Sequence, residues 1–203
     1  MTPGYEVYAI KYAHHARRAS ENFIGGDPHD GPMPLDYFVW LVRGGGRELV
    51  VDTGFSPAMA AKRGREHLRC PTHGLRLLGV DAASVKDVVI THLHYDHVGN
   101  FELFPAATLH LIGGHTMGLQ VVRVSTRRGW VVLASDASHF YANMEQQRPF
   151  PIVWSVTDMV AGYDRLRSLA ASPGHIIPGH DPLVLERYPA PMKELQGTVV
   201  RLD

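Results

Sequence analysis

The sequence predicts a mixed α/β (α+β) chain with sheets inside and helices outside. Three observations lead there. Hairpin patterns turn at glycine-bearing loops, one around Gly44-Gly45-Gly46 and one at Arg127-Arg128-Gly129. An unbroken apolar run, Val88-Val89-Ile90, suits a strand covered on both faces. Helical patterns separate these elements. The clearest is "TDMVAGYDRLRSLA", where Val160, Tyr163, Leu166 and Leu169 share one face.

Taken in order, "YEVYAIKYA" (5–13) is rich in β-branched and aromatic residues and reads as a strand. The following "HHARRASENFIGGDPHDGPMPLD" reads as a long loop from its glycines, prolines and aspartates. "YFVWLVRGGGRELVVDTGF" is the first hairpin, ending in Asp52-Thr53-Gly54. Ser56 then caps a helix with Pro57 at its first position, expected to run through "AMAAKRGREHL". A second short helix is expected around Leu75 to Leu78. "VKDVVI" is a buried strand, "ATLHLI" (107–112) another, and "LQVVRVSTRRGWVVLASD" the second hairpin. Thr157 opens the last helix, and "HIIPGHDP" closes with a short strand and a turn. No repeat, low-complexity tract or linker interrupts this order, so residues 1–203 read as a single domain.

Composition narrows the function. Lys plus Arg number 20, as do Asp plus Glu, so bulk charge offers nothing to nucleic acid. A small neutral or weakly charged substrate is expected instead. Cys70 is the lone cysteine and cannot form an internal disulfide; with no basic leader or long apolar run, a cytoplasmic protein without a membrane segment is expected.

The stretch "THLHYDHVGN" (91–100) crowds His92, His94, Asp96 and His97 together directly after a buried strand. Imidazole nitrogens and carboxylate oxygens are ligands for zinc and similar ions. His92 and His94 leave an extended backbone on the same side. Asp96 and His97 follow where the chain turns, so one loop can serve two ions. Further candidates sit at strand ends: His115 in "GGHTMG", Asp136 in "LASDAS" and His180 in "PGHDP". A carboxylate such as Asp136 can bridge two cations. The remaining histidines have structural readings. His67, His73 and His175 fit surface or loop positions, and His110 fits an apolar strand. His14, His15 and His29 are either structural or turned toward substrate.

These motifs resemble those of the metallo-β-lactamase superfamily, whose HxHxDH motif stands complete as His92, His94, Asp96 and His97. The resemblance covers nearly the whole chain and implies an αββα sandwich. It also implies two divalent metal ions, with zinc expected and iron, manganese or cobalt as alternatives. One ion would be held by His92, His94 and His115, the other by Asp96, His97 and His180, with Asp136 as the bridge. Asp96 would orient the nucleophile or carry a proton.

"DTGF", "THLHYDHVGN", "GGHTMGLQ" and "SDAS" resemble the N-acyl-homoserine lactonase branch in particular. The resemblance implies hydrolysis of a small lactone, of the quorum-quenching type, while the oligomeric state, a homodimer among the options, stays open. Zinc β-lactamases proper place a cysteine on the second ion and lack the bridging aspartate, which argues against that activity. In the lactonase branch a tyrosine follows the bridging aspartate by three. Here that position is His139, which can donate a hydrogen bond to the lactone carbonyl; Tyr141 is out of register. The segment "FELFPAATLHLIG" between Asn100 and Gly114 is shorter than the branch's, so a sandwich shortened between residues 100 and 115 is expected. Other readings are a 4-pyridoxolactonase-like enzyme, another ester, thioester or phosphoester hydrolase, and a metal-binding but catalytically impaired module.

Overall fold

The computed structural model describes residues 4–111 and 119–203. The first sheet is assembled from β1 (Glu6–His15), β2 (Leu35–Gly44), β3 (Arg47–Val51), β4 (Glu66–His67), β5 (Asp87–Ile90), β6 (Thr108–Leu111) and β10 (Val199–Arg201). Its order is β10-β1-β2-β3-β5-β6, with β4 pairing on β1. The second sheet is β7 (Val122–Thr126), β8 (Gly129–Ser135) and β9 (Ile176–Pro178), in that order. The helices are α1 (Pro57–Arg63), α2 (Pro71–Leu77), α3 (Tyr95–Val98), α4 (Tyr141–Glu145), α5 (Val156–Leu169) and α6 (Leu183–Arg187).

Side-chain alternation decides the layering. On β1 and β2, Val7, Ala9, Phe38, Trp40 and Val42 enter one buried cluster, shared with Val131–Ala134 of β8 and Ile176–Ile177 of β9. The intervening Tyr8, Ile10, Tyr37, Val39 and Leu41 enter a second cluster with Ala60 of α1 and Leu75 of α2. Strand residues alternate faces, so a sheet apolar at every position must be covered on both sides. One face takes the second sheet, the other takes helices. Tyr163 and Leu166 of α5 join the first cluster from the second sheet's side. The result is the expected αββα sandwich.

Local chemistry explains the departures from expectation. The helix at 57 stops at Arg63, where Gly64 adopts φ 65° and sends the chain into β4. Ser155, not Thr157, caps α5, accepting the Asp158 N–H at 3.2 Å. β1 runs on to His15, with His14 and His15 paired to Asp36 and Leu35 rather than lying in the loop. The C-terminal segment adds α6 and β10, the latter antiparallel to β1. Among the described residues, no helix is long and apolar enough to cross a membrane.

Strand direction locates one end of the sandwich as the functional end. β3 and β5 are parallel, as are β8 and β9. Asp52, Thr91, Asp136 and His180 all follow the carboxyl ends of these strands. The start of antiparallel β2 brings Asp36 to the same end.

Candidate metal centre

The first group of side chains leaves β5. His92 is buried and its Nε2 stands 3.0 Å from Nδ1 of His94. α3 then turns the chain so that Asp96 and His97 face the interior of the same end. Asp96 Oδ2 lies 3.6 Å from His97 Nε2 and 3.9 Å from His180 Nε2.

Asp136 stands between two sets of imidazoles. Its Oδ1 is 3.2 Å from His97 Nε2 and 3.1 Å from His180 Nε2. Its Oδ2 is 3.8 Å from His92 Nε2 and 3.0 Å from His139 Nε2. Ligand atoms of His92, His97 and Asp136 lie within 4.8 Å of one another, as do those of Asp96, His97 and His180, and those of Asp136, His139 and His180. Two backbone features hold β8 and β9 close enough for this. Ser135 takes a left-handed φ of 46°, uncommon outside glycine. A Cβ on Gly179 would stand 2.7 Å from the Ser135 carbonyl oxygen, so only glycine fits there.

The rings are held by their far nitrogens. His97 Nδ1–H donates to Asp52 Oδ2 at 2.7 Å, and His180 Nδ1–H donates to the Asp36 carbonyl at 3.0 Å. In the neutral tautomer each Nε2 then presents a lone pair to the centre. Asp52 is itself held by the Thr91 N–H and hydroxyl, and sits at φ 61°. The Thr91 hydroxyl also meets Ser135 Oγ at 2.9 Å, tying the two sheets together beside the site.

These residues fit divalent cations. His97 Nε2 is buried and has no hydrogen-bond partner among the described residues, although carboxylate oxygens lie near it. Burial would push the His97 imidazole down, but the carboxylates of Asp52, Asp136 and Asp96 together hold it well above its ordinary value. Burial likewise opposes ionisation of Asp136, yet His180, His97 and His139 hold its carboxyl well below the usual range. A pocket this negative calls for cations, supplied by protons or by metal ions.

The metallo-β-lactamase superfamily domain model matches residues 33–117. That span carries Asp52, His92, His94, Asp96 and His97, and the superposed structures below share the fold of nearly the whole chain. Over those residues the chain is similar in sequence to the metallo-β-lactamase superfamily. A quorum-quenching N-acyl homoserine lactone lactonase superposes with a TM-score of 0.74 at 19% identity, covering 89% of this chain and 94% of that one. An N-acyl homoserine lactone hydrolase with the product N-hexanoyl-L-homoserine at its catalytic metal centre gives 0.74 at 19%, covering 92% and 96%. A probable metal-dependent hydrolase from Staphylococcus aureus gives 0.68 at 11%, covering 90% and 91%. At these identities the likeness is one of fold. The sequence finds no match among curated proteins.

Within this metallo-β-lactamase fold, His92, Asp96, His97, Asp136 and His180 lie at one end of the sandwich, with His94 against His92. His115 lies outside the described residues. His139 is buried beside Asp136, its ring stacked on Phe150 with centroids 3.5 Å apart. Tyr141 turns elsewhere: its N–H donates to Asp181 and the Arg187 guanidinium covers its ring. His67 packs on Phe55, and His175 bonds Ser172 and the Arg128 carbonyl.

Sequence reasoning missed Asp52, Thr91, Asp36 and Phe150. "DTGF" marked Asp52 as the end of a hairpin, and a carboxylate directly after an apolar strand was the available signal. A cavity of about 520 Å³ is lined by Asp136 together with Leu119, Val121, Ala137, Trp154 and Met159. The larger cleft, about 1330 Å³, surrounds the Gly44–Glu48 turn at the other end of the sandwich and holds none of the centre's residues.

Proposed function

We propose that this chain is a dinuclear metal-dependent hydrolase that opens a small lactone ring, of the N-acyl-homoserine lactone type named for its structural neighbours. The observation that carries this reading is the placement of Asp136, with one oxygen toward His97 and His180 and the other toward His92. In this reading His92, His94 and His115 hold one ion and Asp96, His97 and His180 hold the other, with Asp136 between them. Such ions supply Lewis-acid polarisation of a carbonyl oxygen and a water acidic enough to attack near neutral pH.

The chain's own residues do the rest. Asp52 and the Asp36 carbonyl hold the His97 and His180 rings so that Nε2 faces inward. Asp96, partly exposed at the centre's edge, orients the attacking water and carries a proton to the departing ring oxygen. His139, stacked on Phe150 with Nε2 3.0 Å from Asp136 Oδ2, would steady charge on the lactone carbonyl oxygen when its Nε2–H is given to substrate in place of that carboxylate. The apolar cavity next to Asp136 supports an acyl chain. Water adds across the ester bond, and the product is an open hydroxy acid that releases one proton at neutral pH.

The test is metal content after reconstitution with zinc, measured alongside proton release from N-hexanoyl-homoserine lactone and shorter and longer homologues. The expected result is two equivalents of metal and one proton per ring opened. Full metal loading with no ring opening across the series overturns the reading.

A further inference from the structure

Beside the centre stand two guanidinium groups with no carboxylate partner among the described residues. Arg65 is half-buried. Its Nε donates to the Tyr95 hydroxyl at 3.3 Å, and its Nη1 donates to the Arg63 carbonyl at 2.7 Å and meets His15 Nε2 at 3.1 Å. Arg63 lies over the Tyr95 ring, 4.2 Å from its centroid. All of these partners are neutral. Burial and the nearby Arg65 charge push the His15 imidazole down to about 4, so His15 accepts from Arg65 without adding or removing charge at neutral pH.

Tyr95 links this charge to the candidate metal centre through a chain of rings. It lies in sequence between His94 and Asp96. Its ring meets Phe55 at 5.4 Å, Phe55 meets Tyr37 at 5.2 Å, and Tyr37 stands edge-on to the His180 ring at 5.2 Å. Of the nearby acids, Asp36 is engaged by Lys11 and His14, Glu21 by the Arg18 N–H and Arg17, and Asp96 faces His97 and His180. A guanidinium held by neutral partners, here Tyr95, Tyr37, His15 and the Arg63 carbonyl, keeps its full charge for paired anionic oxygens.

We propose that Arg65, with Arg63 beside it, binds an anionic group on the substrate, a carboxylate or a phosphate, while the scissile bond lies at the metal centre. The proposal rests on the hydrolase reading above and adds that lactones or esters carrying such a group are turned over faster than matched neutral ones. A neutral N-acyl-homoserine lactone is still opened but leaves the guanidinium unused.

The experiment compares mono-4-nitrophenyl succinate with 4-nitrophenyl acetate on the zinc-loaded protein and its Arg65→Gln and Arg65→Lys variants. The ratio of kcat/KM for the anionic over the neutral ester is expected to fall about tenfold in Arg65→Gln, mostly through KM, and to recover in part in Arg65→Lys. Calorimetric titration with succinate separates this from the hydrolase reading, because it needs no turnover. Weaker succinate binding by Arg65→Gln supports the proposal even if no lactone is opened. Equal binding by both proteins, or an unchanged ester ratio, overturns it.

Discussion

Asp52 Oδ2 accepts the His97 Nδ1–H at 2.7 Å across 45 positions of sequence, and the ring's Nε2 is left buried and aimed between Asp96 and Asp136. One carboxylate thereby sets the tautomer and orientation of a ring that faces the metal centre. The same carboxylate takes the Thr91 N–H and hydroxyl, so it cannot turn away.

Asp52→Asn is therefore expected to lower metal affinity about 10- to 100-fold while leaving the fold intact, because asparagine also tolerates the left-handed backbone at this position. Competition with a chelator, read by the metal retained per chain, checks it. Unchanged affinity would show that His97 needs no orienting partner.

Asp136→Ala removes the oxygens that face both imidazole sets. Metal content is expected to fall below two equivalents and turnover by at least about 100-fold. A protein that binds metal only for structure would instead lose thermal stability with no catalytic change to measure. Elemental analysis and lactone turnover on the same preparation tell the two apart.

His139→Phe keeps a ring to stack on Phe150 but removes the Nε2 donor beside Asp136. The expectation is a kcat lower by about 100-fold with metal content unchanged. Loss of metal together with activity would instead make His139 part of the metal-holding set.

The His15 pKa predicts a pH effect on stability. Burial and Arg65 depress it to about 4, below the ordinary 6.5. Between those values the unfolded chain binds more protons than the folded one, so stability rises with pH. The contribution is complete above 6.5 and is lost as pH falls toward 4. Urea midpoints at pH 5 and pH 7 should differ less for His15→Gln than for the parent chain; an equal difference would remove His15 from the account.

Much of this was legible in local sequence. The hairpins at Gly45 and Arg127, the Ser56-Pro57 helix start and the buried strand at 88–90 follow from side-chain period and turn chemistry, which act over a few residues. The cluster His92, His94, Asp96 and His97 was legible for the same reason, since its ligands are neighbours in the chain. Asp136 and His180 were found by residue type at strand ends and by family resemblance.

Tertiary structure alone decided the rest. The pairing of β10 on β1, the clamp of Asp52 on His97, the bond between Thr91 and Ser135, and the stacking of Phe150 on His139 join residues that are separate in sequence. That Arg65 has no carboxylate partner among the described residues emerged in the same way, because only the fold shows which acids lie within reach of it. Residue types and their spacing specify which atoms are available. Which atoms meet depends on how the two sheets pack, a non-local choice made by burying both faces of the first sheet at once.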